Sequence, residues 1–546
     1  MVRRILGAFT REIRGLHQAA YVLAGFSVLS QILGLLRDRT FAHLFGAGPV
    51  LDAYFAAFRI PDLVFAFLTL FISSFALVPL LSARDGEAQG TLVGNVLFMF
   101  GITAVAVSGV VWFFLPQLVP FLFPGFPPDT ITTTISFSRI MLAQPILLGL
   151  SSIASSLVQV SRQFLLYAVA PVLYNVGIIG GALLFYPNLG LEGLAWGVVF
   201  GAFLHFAAQA LPLIGRRHLL RLSFPSLRKS FADVALPSVP RSLALGAHQF
   251  LLLVFIGIAS LSTAGGVAAL SFALNLQSVP LSVIGISYAA AIFPSLAALY
   301  IAKDLAGFAR EVWASIRHII FWTLPFITLI IVLRAHIVRV ILGSGLFSWS
   351  DTRLTAALLA LFSISLVSQS LILIFSRAYY AAGNTKIPIL VNTVAVFSAA
   401  ALSLVGMQWI THADFSRDFL ASLFRITDIP GVEILMIPVA YSAVMIITSL
   451  VFGFLFARQY GYDAKTLHTL AQSFAASVLG AAAAYGVLQL LALILETETF
   501  FGIFAQGVGA GLMGLSVWLT VLWFLKATEL KEVFEVVRRR QSNVHE

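Results

Sequence analysis

The feature that most constrains this chain is its rhythm: long apolar stretches follow one another from end to end, with only short connectors between them. A helix needs about 20 apolar residues to cross the hydrocarbon core of a bilayer. About fourteen such segments can be marked, centred near residues 27, 67, 102, 145, 177, 203, 250, 283, 324, 365, 398, 445, 480 and 512. This spacing predicts an all-α polytopic membrane protein with no room for a separate soluble domain. Composition agrees: 60% of the 546 residues are hydrophobic and 10% charged, whereas roughly a quarter of residues are charged in soluble domains.

Cysteine is absent, which excludes disulfides, thiolate metal sites and cysteine nucleophiles. The net charge of +10 resides in short connectors rather than in a sustained patch, so it reports membrane topology and no nucleic-acid partner is expected. If the N-terminus is cytoplasmic, 22 of the 33 Lys and Arg residues fall on that side. Arg339, Arg353, Arg417 and Arg425 fall on the other. An even number of spans then places both termini in the cytoplasm. The N-terminal MVRRILGAFTREIRGL carries Arg3, Arg4, Arg11 and Arg14 and has no small-residue cleavage site. It reads as an interfacial amphipathic segment over 1–15.

An internal repeat organises the rest. Pro171-Val172-Leu173-Tyr174-Asn175 is echoed by Pro388-Ile389-Leu390-Val391-Asn392, and Pro79 in FALVPLLSA by Pro294 in AAIFPSLAA. The offsets nearly agree, so two six-helix lobes are expected over 16–230 and 231–460, with two further helices over 461–527 and a basic cytoplasmic tail over 528–546. Six is even, so both lobes begin on the same side of the membrane. This is a parallel repeat, for which a substrate site between the lobes is expected.

Charges inside the apolar runs are the candidate site. Ser30 to Asp62, SQILGLLRDRTFAHLFGAGPVLDAYFAAFRIPD, contains Arg37, Asp38, Arg39, Asp52 and Arg59. A charge near the middle of a span costs about 2.5–3.5 kcal/mol even on lenient scales, so it normally faces a partner or a watery cavity. Arg37 and Asp38 lie near the outer end of span one, where snorkelling to head groups and cavity pairing both fit. Asp52 opens span two, where a carboxylate suits a helix N-terminus, with Gly46 and Gly48 shaping the turn before it. Arg59 lies seven residues deeper, about two turns, so both can share a face; Pro61 frees a backbone carbonyl nearby. Arg139 in span four and Arg241 at the start of span seven are further candidates for a cationic pocket. Asn275, Gln277 and Asn392 suit either substrate hydrogen bonds or polar contacts between helices.

Other patterns carry no chemistry. Gly509-Ala510-Gly511-Leu512-Met513-Gly514 spells a dinucleotide fingerprint but lies inside span fourteen without a preceding strand; its small residues, Gly507 and Gly511 among them, suit close helix packing. His248, His318 and His412 are isolated. Neither a metal site nor an enzyme is expected.

The residues quoted resemble the MurJ (MviN) family of lipid II flippases, within the multidrug/oligosaccharidyl-lipid/polysaccharide exporter superfamily. Ser30, Gly34, Arg37, Asp38, Phe45 to Gly48, Asp52-Ala53, Phe58 and Pro61 look like its first two helices. SRIMLAQPILLGLSS (Ser138 to Ser152), YAVAPVLYNVGII (Tyr167 to Ile179), PRSLALGAHQ (Pro240 to Gln249) and SRAYYAAGNTKIP (Ser376 to Pro388) extend the likeness over nearly the whole chain. The resemblance implies fourteen helices in two lobes, a cationic cavity for the lipid diphosphate, and a groove at the last two helices for its polyprenyl tail. Arg37 and Asp52 fall on positions that the family uses, and Arg59 stands for a lysine. Gln31, Phe65 and Asn275 stand where the family's arginines are expected, and Arg139 or Arg241 are candidates to compensate.

The expectation is therefore a monomeric flippase of the bacterial plasma membrane that moves lipid II, or a related polyprenyl-diphosphate-linked sugar, by alternating access. Arg37 and Arg59 would hold the diphosphate and Asp52 would orient an arginine. No cofactor is expected beyond a coupling cation, Na+ or H+. A flippase for another lipid-linked oligosaccharide and a cation-coupled multidrug exporter are the alternatives.

Overall fold

The computed structural model describes residues 16–72, 74–211, 223, 226–496, 499–532 and 535. The amphipathic segment expected over 1–15 and most of the basic tail lie outside these residues. The described residues are helical throughout, without strands. The chain folds as two compact units, Met1–Ala268 and Ala269–Glu546.

The first unit begins with α1 (Leu16–Phe45) and α2 (Pro49–Leu68). The turn between them follows from sequence: Gly46 has φ +62°, Gly48 is extended, and Pro49 occupies the first helical turn, where its missing N–H costs nothing. A short 3-10 turn (Thr69–Phe71) leads into α3 (Ser74–Ser82), followed by α4 (Gly86–Leu122). Next come α5 (Pro128–Met141), α6 (Ala143–Val160) and α7 (Phe164–Gly180). A π-helical segment (Gly181–Phe185), α8 (Tyr186–Leu189), α9 (Glu192–Ala210) and α10 (Leu227–Ala259) complete the unit. The boundary expected near residue 230 is displaced, because α10 packs on α2, α3 and α4 and so belongs with the helices before it.

The second unit repeats this order of elements. Helix α11 (Gly266–Pro280) begins at the junction, and a π-helical segment (Leu281–Ile286) leads into α12 (Ser287–Ile301). Pro79 and Pro294 each lie inside the helix after such an interruption. Then come the long α13 (Leu305–Leu342), α14 (Trp349–Ser363) and α15 (Leu366–Ala381). The last two are bent by 41° at their junction, whereas α5 and α6 run on through Leu142 as one continuous span. Helix α14 starts with a capping box, Ser348 Oγ accepting from Asp351 N at 3.1 Å and Asp351 Oδ2 from Ser348 N at 2.8 Å. Helices α16 (Lys386–Ile410), α17 (Asp414–Phe424), α18 (Met436–Tyr460), α19 (Lys465–Ala492) and α20 (Phe500–Phe524) follow. The Pro171/Pro388 echo is out of step with this order, since Pro171 lies in the third turn of its helix and Pro388 in the first.

Ten described helices are long and apolar enough to cross a membrane, eleven if α14 and α15 form one span. Helix α2 is not among them, because Asp52, Arg59 and Asp62 interrupt its 20 residues. Phe113, Phe121, Leu390, Phe454 and Phe501 stand exposed on the helix surfaces, an arrangement suited to lipid and costly in water.

Small residues set the closest helix contacts. In the first unit Gly177 and Gly181 meet Gly197 and Gly201, so that α7 with its π segment lies backbone to backbone on α9. A Cβ on Gly201 would fall 2.5 Å from the Tyr174 carbonyl oxygen, whereas a Cβ on Gly180 would meet nothing within 4 Å. Gly201→Val is expected to cost about 1–3 kcal/mol through overpacking, and Gly180→Ala to be neutral. Thermal unfolding of the detergent-solubilised variants checks this pair. In the second unit the tight crossing falls at Gly480 and Gly514, where α19 meets α20; Gly507 and Gly511 make only ordinary contacts with α13. The apparent fingerprint is thus a packing surface, but through its last glycine. The far end of α13 is held by charge: Arg317 pairs with Asp463 and, at 3.3 Å, with the buried Glu529, which also accepts from Thr469 Oγ1 at 2.7 Å.

Candidate functional site

The first unit brings Arg37, Asp38, Arg59 and Asp62 into one cluster. Arg37, in the last turns of α1, donates from Nε and Nη2 to Asp38 Oδ1 at 3.0 and 2.8 Å. Its Nη1 reaches Asn175 Oδ1 on α7 at 3.5 Å. Asn175 Nδ2 donates in turn toward Ser30 Oγ at 3.3 Å, the Ser30 carbonyl at 3.4 Å and the Pro171 carbonyl at 3.2 Å. The amide therefore stitches α1 to α7 and holds the Arg37 fork in place. Asp38 is only 2% exposed, so the pair is internal and does not snorkel.

Arg59 is the less satisfied cation. Its Nη1 lies 3.8 Å from Asp62 Oδ2 one turn on, a distance for Coulomb attraction rather than a good hydrogen bond. Its Nε is buried and has no hydrogen-bond partner, a condition that costs about 1–3 kcal/mol or more for a charged group. Gln144 donates to Asp62 from the start of α6. Arg37 and His248 of α10 lie within electrostatic range of Arg59. Tyr54 and Tyr174 lie within range of Arg37. Two arginines face two aspartates here, so the cluster is close to neutral rather than a bare cationic surface. An incoming dianion would compete with Asp38 and Asp62 for forks already in position.

The other expected site residues fall elsewhere. Asp52 does not orient an arginine: its Oδ2 accepts from Gly265 N at 2.6 Å and its Oδ1 from Ala268 N at 2.8 Å, capping the start of α11. Gly265 is required there, since it has φ +88° and a Cβ would collide with the Ala47 carbonyl. Arg139 is exposed and lies 4.6 Å over the exposed ring of Trp112, apart from Arg37 and Arg59, so it does not compensate for missing cavity charge. Arg241 belongs to α10, but its side chain lies outside the described residues. Asn275 lies on α11 in the second unit, half-buried, its carbonyl accepting from Ser278 Oγ at 2.7 Å.

Gln31 and Phe65, where cations were expected, share the wall of one cavity of about 650 Å³ inside the first unit. Ser30, Ser152, Ser155 and Gln209 give that cavity a hydroxyl- and amide-rich lining. His205, also on its wall, meets Ser151 Oγ at 2.7 Å. The cavity adjoins the charged cluster through Ser30 and Asn175, so neutral hydrogen-bonding groups take the place of guanidinium there. Sequence reasoning gave no role to Asp62 and Gln144 and set His248 aside as isolated. Asp62 had a signal, a third charge in α2 one turn from Arg59; the other two join only by packing.

Helices interrupted at corresponding places in two successive units, with an internal cluster of paired charges, give the polytopic fold shared by lipid flippases and multidrug exporters. A solved lipid II flippase MurJ in an inward closed conformation superimposes with TM-score 0.72 at 22% identity, covering 93% of this chain and 99% of that one. An inward-facing multidrug resistance MATE transporter does so with TM-score 0.64 at 15% identity, covering 83% and 99%. Residues 41–506 match the sequence pattern of the family described as lipid II flippase MurJ, and the chain belongs to that family. The lipid II flippase MurJ of Burkholderia cenocepacia is 26% identical over 419 residues, 73% of this chain and 80% of the relative. A probable lipid II flippase MurJ of Rhizobium tropici is 28% identical over 402 residues, 70% and 74% of the two chains.

Proposed function

We propose that this multi-pass membrane protein moves lipid II from the inner to the outer leaflet of the bacterial plasma membrane by alternating access, with both termini cytoplasmic. Family membership supports the cargo. The observation that carries the chemistry is Arg59, a buried guanidinium with a loose carboxylate partner and a partnerless Nε, held in range of Arg37. A diphosphate cannot enter hydrocarbon with its charge bare, and arginine forks match phosphate oxygens two at a time. On this reading Asp38 and Asp62 are placeholders that keep the empty site near neutrality and yield to the diphosphate. A membrane potential or a Na+ or H+ gradient would drive the cycle.

Gln31 and Phe65 favour a second reading, a flippase for a related polyprenyl-diphosphate-linked oligosaccharide, because the headgroup then meets amides and hydroxyls instead of cations. Rescue of a strain depleted of its lipid II flippase decides between them. Growth restored by this chain is the expected outcome. Failure to restore growth, with the protein present in the membrane, would pass the assignment to the other lipid-linked sugars.

A further inference from the structure

A second basic cluster, built wholly within the second unit, has no role in that reading. A pocket of about 540 Å³ opens where the C-terminal ends of α13 and α19 meet the N-terminal ends of α14 and α20. Arg334, Arg339, Arg353 and Arg425 reach its wall, and Leu488 and Ile503 supply an apolar side.

Among the described residues the charges do not balance. Arg353 is neutralised: Nη1 and Nη2 donate to Asp428 at 2.8 and 2.5 Å, a pairing that holds the Asp428 carboxyl below its ordinary range. Even so, the buried Arg353 Nε has no partner. Arg334 gives one N–H to the Ile331 carbonyl at 2.8 Å and lies 5.7 Å over the Phe424 ring. Arg339 gives one to the Phe347 carbonyl at 3.2 Å. Among the described residues no acid forms an ion pair with Arg334, Arg339 or Arg425, and Arg334 lies within repulsive range of Arg425. Arg334, Arg339 and Arg425 thus share one pocket wall with no described acid paired to any of them.

Helix α17 sets the depth of this pocket. Phe415, Phe419 and Leu423 recur every four residues on one face and are 85%, 58% and 55% exposed, while Arg417 pairs with Asp414 and Asp418. An amphipathic helix with such a face is suited to the plane where head groups meet acyl chains. Its last residues, Leu423 and Phe424, and its cap Arg425 are part of the pocket wall. With α17 in that plane the guanidinium groups would lie at phosphate level, beside the apolar side chains of Leu488 on α19 and Ile503 on α20.

We propose that this pocket binds the phosphate of a membrane amphiphile, with the forks of Arg334, Arg339 and Arg425 on the phosphate oxygens and the chain against Leu488 and Ile503. A bilayer phospholipid and a polyprenyl diphosphate share this chemistry. Competitive native mass spectrometry of the full-length protein separates them, with phosphatidylglycerol, diacylglycerol, a polyprenyl diphosphate and inorganic phosphate as probes. Phosphatidylglycerol is expected to bind about tenfold tighter than diacylglycerol, the worth of one charge-assisted hydrogen bond. Arg334→Gln with Arg425→Gly should erase that preference. Arg425 has φ +57°, a conformation glycine adopts without strain, so this substitution leaves the loop folded. Arg334→Lys, with charge but no fork, should keep part of the preference. Whichever lipid displaces the other names the source, and either result supports the site. Equal binding of phosphatidylglycerol and diacylglycerol, an undiminished preference in the double variant, or inorganic phosphate binding as tightly as the lipids would overturn it.

Discussion

Arg59→Ala is expected to abolish rescue of a flippase-depleted strain and to lower affinity for a polyprenyl diphosphate by about a hundredfold or more. Two charge-assisted hydrogen bonds at about 1.5–3 kcal/mol each are then lost, and each 1.4 kcal/mol is tenfold. Arg59→Lys keeps the charge without the fork and should retain partial function. Truncation also leaves Asp62 internal with Gln144 as its remaining partner, and breaking a buried pair from one side costs about 3–5 kcal/mol. The cleaner variant is Arg59→Gln with Asp62→Asn, which removes both charges at similar volume. It should fold, reach the membrane and fail to transport. Asp62→Asn alone should bind the diphosphate more tightly, because the competing carboxylate is gone. Leaflet exchange in reconstituted vesicles reads each of these, and full transport by the neutral double variant would remove Arg59 from the site.

Asp52→Ala should act on stability instead. It deprives Gly265 N and Ala268 N of bonds at 2.6 and 2.8 Å, and two buried N–H groups without acceptors cost about 3–5 kcal/mol together. The expected result is a sharply lower unfolding temperature in detergent and little protein in the membrane. Asp52→Asn keeps one side-chain oxygen as acceptor and should lie between. A fully stable Asp52→Ala protein that no longer binds polyprenyl diphosphate would return the residue to the cargo site.

These two residues show where sequence reading stops. Both stand in one apolar helix seven positions apart, and helical periodicity allows both to face a common cavity. Asp52 was captured instead by backbone 213 and 216 residues away, a pairing that exists only after α2 and the start of α11 have packed. Arg139 and Arg37 likewise look alike in sequence. One stacks outward on Trp112, while the other is held inside by Asp38 and Asn175. Asn175 was visible only as part of a repeated motif, yet its amide links Arg37 to Ser30.

The sequence by itself determined the all-helical membrane class, the correspondence of Pro79 with Pro294, the turn at Gly46 to Pro49, and the region where charge enters the membrane. Those features follow from apolar length and from backbone preferences of single residues, which act locally. Only the tertiary structure decided which charges are paired, which is left with an unmade bond, and that Gln31 and Phe65 share a neutral cavity wall. A charge buried in a membrane protein must find a partner wherever packing brings one, and the partner's distance along the chain has no bearing on the energy.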